Sequence, residues 1–540
     1  MDKPCDFKYK PSVNYRWRVF VSIRRRIGLA YLRGALPCFE YFGNLPTDIV
    51  CKDGLVDGKP ASEVLDMMII PSGSLIESKS VNSVVSQEIL KMAEAGKFLL
   101  GVCSGFQVLA KRTDVGRLSS VPIVREGLGL IDVDVQPLVC TDQVSAQIIG
   151  KSFLYDGVGV EVSGFHCHTY GKVVLHDNAM GMLVSHVQRV NYRRAPQNLV
   201  SGVANREGNV VGVFMHGLLD KNSIIVEGLM KSLDINQVEL EEIRKVNAKL
   251  VSMMKGEIGI DTNIRPAIAV KKVPVMVLVT ALGSGSGKTF LVTGMAGALK
   301  KRGYNVGLIK IGGDIRDSVS ALYLVKESVM GYSSIKIGGS GWMPVHEAVG
   351  QACGVYDFIF VEGAMSAFTG LLNSKMSRPS STLEVAASLG ASVIVVVTCD
   401  KEGVEGGLVN VLNYINMLRL LGVNPTGVIL NKMSTSYLSD GDRQVLKQAF
   451  ENVGVQLVGV VPSIKFEEGG MIPEVDICYD RFGSQALDVV ERYINLEQLV
   501  ALAKTPSQNS VDYVVLVEKF KKLLINYPNN FSIRVESDCL

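Results

Sequence analysis

Residues 275–302 leave little choice of architecture. The apolar run Val275–Thr280 leads into Ala281-Leu282-Gly283-Ser284-Gly285-Ser286-Gly287-Lys288-Thr289, and a helical pattern, Thr289–Arg302, follows. A strand, a glycine-rich loop, Gly-Lys-Thr and a helix in that order make a phosphate-binding loop. Successive backbone N–H groups form a nest for anions, Gly283, Gly285 and Gly287 let a nucleotide's phosphates approach, Lys288 would reach the outer phosphates, and the Thr289 hydroxyl would bind Mg2+. The strict motif has Gly five residues before Gly287, where Leu282 stands. The flanks agree with this reading. Asn305–Ile311, Phe358–Glu362, Ser392–Thr398, Gly427–Leu430 and Gln456–Val461 are short apolar runs, most of them separated by helical stretches such as Leu408–Leu421. Apolar strands between helices imply a parallel sheet covered on both faces.

A second block, Ile27–Leu233, shows the same alternation. Its apolar runs include Asp66–Ile70, Lys97–Val102 and Val210–Met215, and Val84–Ala95 has helical spacing. The segment Gly101-Val102-Cys103-Ser104-Gly105-Phe106-Gln107 follows a strand and precedes a helical pattern, Phe106–Arg112. This G-x-C-x-G frame is a strand-to-helix elbow that exposes a nucleophile at a sheet edge. A helix start there favours a thiolate and offers N–H groups to an oxyanion. His216, in Val213–Asp220, comes just after a strand, where a base for Cys103 could sit. The strand-to-glycine turn Ile69–Ser74 could present a backbone N–H.

The chain has 540 residues, enough for two to four domains. With 47% apolar and 20% charged residues it has ordinary globular composition. Lys and Arg number 56 against 53 Asp and Glu, a net charge of +3, which argues against nucleic acid as the main partner. No apolar run approaches the ~18 residues of a membrane span, and Met1–Lys10 has no secretory h-region. The ten cysteines are scattered without a CxxC pair, so a cytoplasmic protein with reduced thiols is expected.

The first block resembles the class I glutamine amidotransferase domain of the cobyrinic acid a,c-diamide synthase and cobyric acid synthase family. The family's strand–Pro–Gly–Ser turn is similar to Pro71–Ser74, with Ser72-Gly73 in reversed order. Its Cys-Gly-Gly-Tyr-Gln elbow is similar to Cys103–Gln107, and its Gly-Leu-Gly-Leu to Gly127–Leu130. Its Gly-x-x-x-His segment is similar to Gly164–His168, and its His-Gly-Leu to His216–Leu218. The resemblance implies that Cys103 attacks the glutamine amide, that His216 shuttles the proton, and that Gly73 and Gln107 hold glutamine. Other class I glutaminases carry Glu two residues after the His; Leu218 is there, and a Cys/His dyad is the form expected. His166 stands where the family usually has Glu.

The second block resembles the family's dethiobiotin-synthetase-like synthetase domain. Ala281-Leu282 replace its Gly-Thr, Lys310-Ile311-Gly312-Gly313-Asp314 matches its Lys-x-Gly-x-Asp, and Glu362-Gly363 matches its Glu-Gly. Ser381-Thr382 and Asn495–Ala503 are similar to further family segments, while Ser366 and Thr369 replace its Gly and Asp. By this resemblance Thr289, Asp314 and Glu362 complete a Mg2+ site, Lys310 neutralises the transferring phosphoryl group, and Asn431 contacts the adenine. Asp317 is a weaker metal candidate.

The expected fold is thus α/β with two doubly wound domains. A glutaminase at residues 1–235 is joined by a partly helical linker, 236–272, to a P-loop synthetase with a mostly parallel sheet, 273–504, and an unassigned tail, 505–540. The glutaminase comes first, whereas the family places it last. The resemblance implies ATP- and glutamine-dependent amidation of a tetrapyrrole polycarboxylate through an acyl phosphate, with a protected path for ammonia. Alternatives are a nickel tetrapyrrole a,c-diamide synthase, an amidoligase for another acid, and a P-loop ATPase switch or chaperone with a vestigial glutaminase. Dethiobiotin-type chemistry without glutamine would leave Cys103 unexplained. The expected ligands are glutamine, ATP, Mg2+ and the tetrapyrrole, with no nucleic acid or membrane partner; a homo-oligomer is compatible with the chain.

Overall fold

The computed structural model describes residues 23–31, 40–73, 81–260, 273–373, 378–400, 403–434, 439–464 and 477–526. Ser74 of the first glycine turn, residues 261–272 of the expected linker and residues 527–540 of the tail lie outside them. The chain forms two compact units: among the described residues the first runs to Gly259 and also takes in Lys326–Ser328 and residues 477–479, and the second holds the rest.

The first unit is built on a ten-stranded sheet. One half is parallel, in the order Val210–Val213, Phe98–Val102, Met67–Ile70, Ile27–Ala30, Asp48–Val50. Every residue of Ile27–Ala30, Met67–Ile70 and Val210–Val213 is buried, as expected for strands covered on both faces. The other half, not foreseen from the sequence, is antiparallel: Arg193–Asn205, Ala179–Val190, Gln143–Ile148, Glu161–His166 and Met215–His216. There Gln143–Ile148 alternates exposed and buried residues, the mark of a sheet with one wet face.

The helix expected over Phe106–Arg112 is corrected. The helix is Ser104–Leu109, and Ala110 turns extended (φ −64, ψ 165) to open a strand, Ala110–Asp114. That strand joins a separate four-stranded sheet beside Ile131–Cys140. Cross-strand pairing outweighs helical continuation here: Arg112 faces Asp134 and grips it through two hydrogen bonds of 2.8 and 2.7 Å.

The charged helix expected at the start of the linker, Glu239–Lys255, is present as Gln237–Glu257, closed at its N-terminus by a capping box of Asn236 and Glu239. Leu240, Ile243, Leu250 and Met254 recur at three- to seven-residue intervals and pack into the first unit's core, so this segment is a structural helix of that unit.

The second unit holds a seven-stranded, wholly parallel sheet. Its order is Ser334–Ile335, Val306–Ile311, Phe358–Ser366, Val275–Ala281, Ser392–Thr398, Pro425–Met433, Gln456–Pro462. The phosphate loop leaves the central strand at the carboxyl edge, between neighbours that deliver Glu362 and, one strand further, Asn431. The tail has a place in this unit: in helix Tyr513–Ile525, Leu516, Val517 and Phe520 join the core, and Phe520 stacks on Phe368. No helix among the described residues is long and apolar enough to cross a membrane.

Candidate active sites

Cys103 closes strand Phe98–Val102 with φ 53 and ψ −106, a conformation non-glycine residues avoid at a cost of about 1–3 kcal/mol. The surroundings hold it there. The Cys103 N–H donates to the Val213 carbonyl (2.8 Å), and the Gln107 N–H donates to the Cys103 carbonyl (3.2 Å). Gly105 lets the elbow lie on the neighbouring strand, since a Cβ there would fall 2.0 Å from the Ile70 carbonyl oxygen. The thiol is nearly buried and lies 3.7 Å from the Cys167 carbonyl oxygen.

His216 is fully buried, and the Phe165 ring stacks on it with centroids 5.1 Å apart. Burial, the largest influence, disfavours its charge. Hydrogen bonding to Cys103 and Glu40 outweighs burial and pushes the imidazole pKa up to about 9. The raised pKa favours a charged imidazole beside Cys103. Glu40, itself buried, accepts from His216 Nδ1 at 3.1 Å, and its second oxygen accepts the Gly217 N–H at 2.9 Å.

The other expected glutamine contacts are placed nearby. The Gly73 N–H donates to Ser104 Oγ (2.8 Å), the residue after the thiol, and Gln107 Nε2 donates to the Tyr170 carbonyl (3.2 Å). His168 Nδ1 donates to the Leu138 carbonyl (3.1 Å), so its Nε2 accepts from His166 Nδ1 (2.9 Å). Burial first, then His168 and His216, hold the His166 pKa well below its usual value, so this position carries a neutral ring.

In the second unit the phosphate loop is tied from behind. Ser286 Oγ and Lys288 Nζ both donate to the Gly283 carbonyl (2.8 and 3.2 Å), and Lys288 also reaches the Met365 carbonyl (3.1 Å). Asn431, expected at the adenine, donates through Nδ2 to the Ser286 carbonyl (2.8 Å), and Lys432 donates to the Gly285 carbonyl (2.8 Å). Gly285 and Gly287 have φ of 74 and 84; a Cβ at Gly287 would meet Asn431 Nδ2 at 2.3 Å.

Glu362 and Thr289 meet as expected: Glu362 Oε1 accepts from Thr289 Oγ1 and from Lys310 Nζ, both at 2.8 Å. Lys310 lies 2.6 Å from Asp317, and although burial opposes its charge, Asp317 and Glu362 raise its pKa. Asp314 lies close enough to act on the charges of Lys310 and Asp317, but its hydrogen bonds go elsewhere. Its carboxylate is taken by Arg316 through two bonds of 2.7 Å, and Asp317, on the first turn of helix Arg316–Val325, takes the place beside Lys310. No cluster of three or more His, Cys, Asp or Glu that could hold a metal ion occurs among the described residues.

Residues 55–224 match the CobB/CobQ-like glutamine amidotransferase domain, and residues 277–467 match the CobQ/CobB/MinD/ParA nucleotide binding domain. The chain carries these two domains, amidotransferase first. Hydrogenobyrinate a,c-diamide synthase of Mycobacterium bovis is 31% identical over 245 residues, covering 42% of this chain and 50% of that protein. Cobyric acid synthase of Dehalococcoides mccartyi is 29% identical over 197 residues, covering 34% and 37%. The chain thus spans half or less of the length of these curated relatives. Among solved structures, MinD of Aquifex aeolicus overlaps 46% of this chain and 96% of its own at 15% identity, with a TM-score of 0.25, too loose to support an argument.

In the amidotransferase domain, sequence reasoning missed Glu40, which lies before the matched residues. It is a lone carboxylate between Phe39 and Tyr41, and nothing local connects it to a histidine 176 positions away.

In the nucleotide-binding domain, burial lowers the Lys288 pKa to about 8. The shift has a sign that binding must reverse: bound phosphates favour the ammonium. Nucleotide binding at pH 8 should therefore take up roughly half a proton, and almost none at pH 6. Calorimetry in buffers of different ionisation enthalpy measures this, and nucleotide binding at pH 8 with no uptake would contradict it.

Proposed function

We propose that this chain is an ATP-dependent, glutamine-hydrolysing amidoligase that converts carboxylate side chains of a tetrapyrrole polycarboxylate to primary amides. One observation carries the reading: a cysteine held in strained backbone against a cationic histidine, and a phosphate loop ringed by Lys288, Lys310 and Glu362, occur in a single chain. The substrate class comes from the relatives, named for hydrogenobyrinate and cobyric acid.

In the first site the Cys103 sulfur attacks the glutamine amide carbon. The Gly73 N–H would turn from Ser104 Oγ to the oxyanion. His216 gives its proton to the leaving nitrogen, ammonia departs, and a thioester remains. Water, deprotonated by His216, cleaves the thioester to glutamate and restores the thiol. In the second site the substrate carboxylate attacks the γ-phosphorus of ATP, giving an acyl phosphate and ADP. Lys288 and Lys310 offset charge on the transferring group. Ammonia then attacks the acyl carbon and phosphate leaves, giving the amide.

The fit of Mg2+ can be tested on the residues present. Thr289 Oγ1 and Glu362 Oε1 lie 2.8 Å apart, adjacent oxygens that suit a cation which keeps several waters and phosphate oxygens. Thr289 and Glu362 would hold it, with Asp317 nearer than Asp314. When bound, Mg2+ supplies positive charge to the phosphates. Lys310, already paired with Glu362 and Asp317, stays as a second, fixed cation.

The test is glutamate release from glutamine, with and without MgATP and a cobyrinic acid-type substrate, with product masses read alongside. Release stimulated by substrate and ATP, with a mass change of one or more amides, is expected. ATP hydrolysis with no glutamate release under any condition would overturn the reading in favour of an ATPase switch.

A further inference from the structure

We infer that Glu40 is the positioning carboxylate of the first site, carried to His216 by a left-handed turn that Asp220 locks. This rests on the reading of that site as a glutaminase. The position two residues after His216 is occupied by buried Leu218, which offers no acceptor. A fully buried imidazole still needs a partner for Nδ1, and Glu40 provides it from 176 positions upstream. Both carboxylate oxygens are engaged, one by His216 and one by the Gly217 N–H, so its orientation is set. With Nδ1–H donating to Glu40, Nε2 is the nitrogen left to serve the thiol.

The turn after Glu40 explains how it gets there. Phe42, Gly43 and Asn44 have φ of 53, 67 and 58, three consecutive left-handed residues of which two are not glycine. Asp220 holds this conformation: one oxygen accepts the Tyr41 N–H (2.8 Å) and the other the Gly43 N–H (2.6 Å), while the Phe42 ring is fully buried. Asp220 lies on the short helix Leu218–Lys221 directly after His216, so base and clamp share one piece of backbone. Strain retained beside a reactive group is spent on its placement.

The charged groups facing Glu40 are His216, Asp220 and Lys221, with Cys103 across the imidazole. Because the carboxylate favours the imidazolium, it sets where the alkaline limb of glutamine hydrolysis falls. In the full chain, Glu40→Gln should lower kcat at least roughly 10²-fold with KM little changed, and move the limb from near pH 9 to lower pH. Glu40→Asp should recover part of kcat and keep the limb near its place. Asp220→Asn should lower kcat by freeing the turn. Full kcat and an unmoved limb in Glu40→Gln, with the melting temperature unchanged, would overturn the inference. Nitrogen-15 NMR of the histidine rings reads the same contact without turnover, and a His216 titration unaltered by Glu40→Gln would also overturn it. Wild-type protein that never hydrolyses glutamine, yet shows the Glu40-dependent His216 titration, would instead remove the glutaminase reading and leave the contact standing.

Discussion

Replacing Cys103 with serine should cut glutamine-dependent synthesis by roughly 10⁵-fold or more, while synthesis from added ammonium salts continues. The two atoms differ little in size, so the elbow should survive. Its strain is a backbone property that serine shares with cysteine, and its hydrogen bonds to Val213 and Gln107 use main-chain atoms. What changes is ionisation. An imidazolium with a pKa near 9 can stabilise a thiolate, whose usual pKa is about 8.5, but cannot do the same for an alkoxide. Glutamate release and product mass, each measured with glutamine and then with ammonia, check this. Loss of both activities with the fold intact would contradict a chain with two separate sites.

Lys288→Met should have the reciprocal effect. Glutamine hydrolysis in the absence of other substrates should persist, and ADP formation should fall by roughly 10²–10³-fold, the scale of removing one preorganised donor from a charged transition state. Lys288 is 7% exposed and spends its hydrogens on two backbone carbonyls while no nucleotide is bound. Methionine matches its stem and removes a charge that burial disfavours, so stability should change little. ADP release, with a melting curve as control, reads the result. Undiminished ADP formation would remove Lys288 from the phosphate site and with it the loop's assigned role.

How far the sequence carried depended on whether a feature is local. The phosphate loop and the cysteine elbow are short, contiguous and made by glycines whose missing Cβ atoms have immediate reasons, such as Gly105 against Ile70 and Gly287 against Asn431. The central strands were visible as apolar runs for the same reason. Features decided by distant partners were not visible. Ala110–Arg112 looks helical until Ile131–Cys140 offers it a sheet edge. Asp314 and Asp317 lie three residues apart, and only the path of the chain into helix Arg316–Val325 decides which one meets Lys310. The charged face of Gln237–Glu257 drew attention from the apolar stripe that anchors it. Glu40 is the extreme case, since its meaning resides wholly in a contact across 176 positions.

The packing of the first unit also bears on where an autonomous amidotransferase would begin and end. The matched stretch, residues 55–224, omits the two strands at the parallel edge, Ile27–Ala30 and Asp48–Val50, and the whole helix Gln237–Glu257. Ile27, Leu29 and Ile49 on one side, with Leu240, Ile243 and Leu250 on the other, are each no more than 5% exposed. At about 1.5–3 kcal/mol per buried aliphatic side chain, these six together contribute roughly 9–18 kcal/mol. That is comparable to the net stability of an entire domain, about 5–15 kcal/mol. A fragment trimmed to the recognisable motif would keep the thiol and the histidine yet lose these buried side chains, so it should unfold more readily than a piece that starts before Ile27 and runs past Met254.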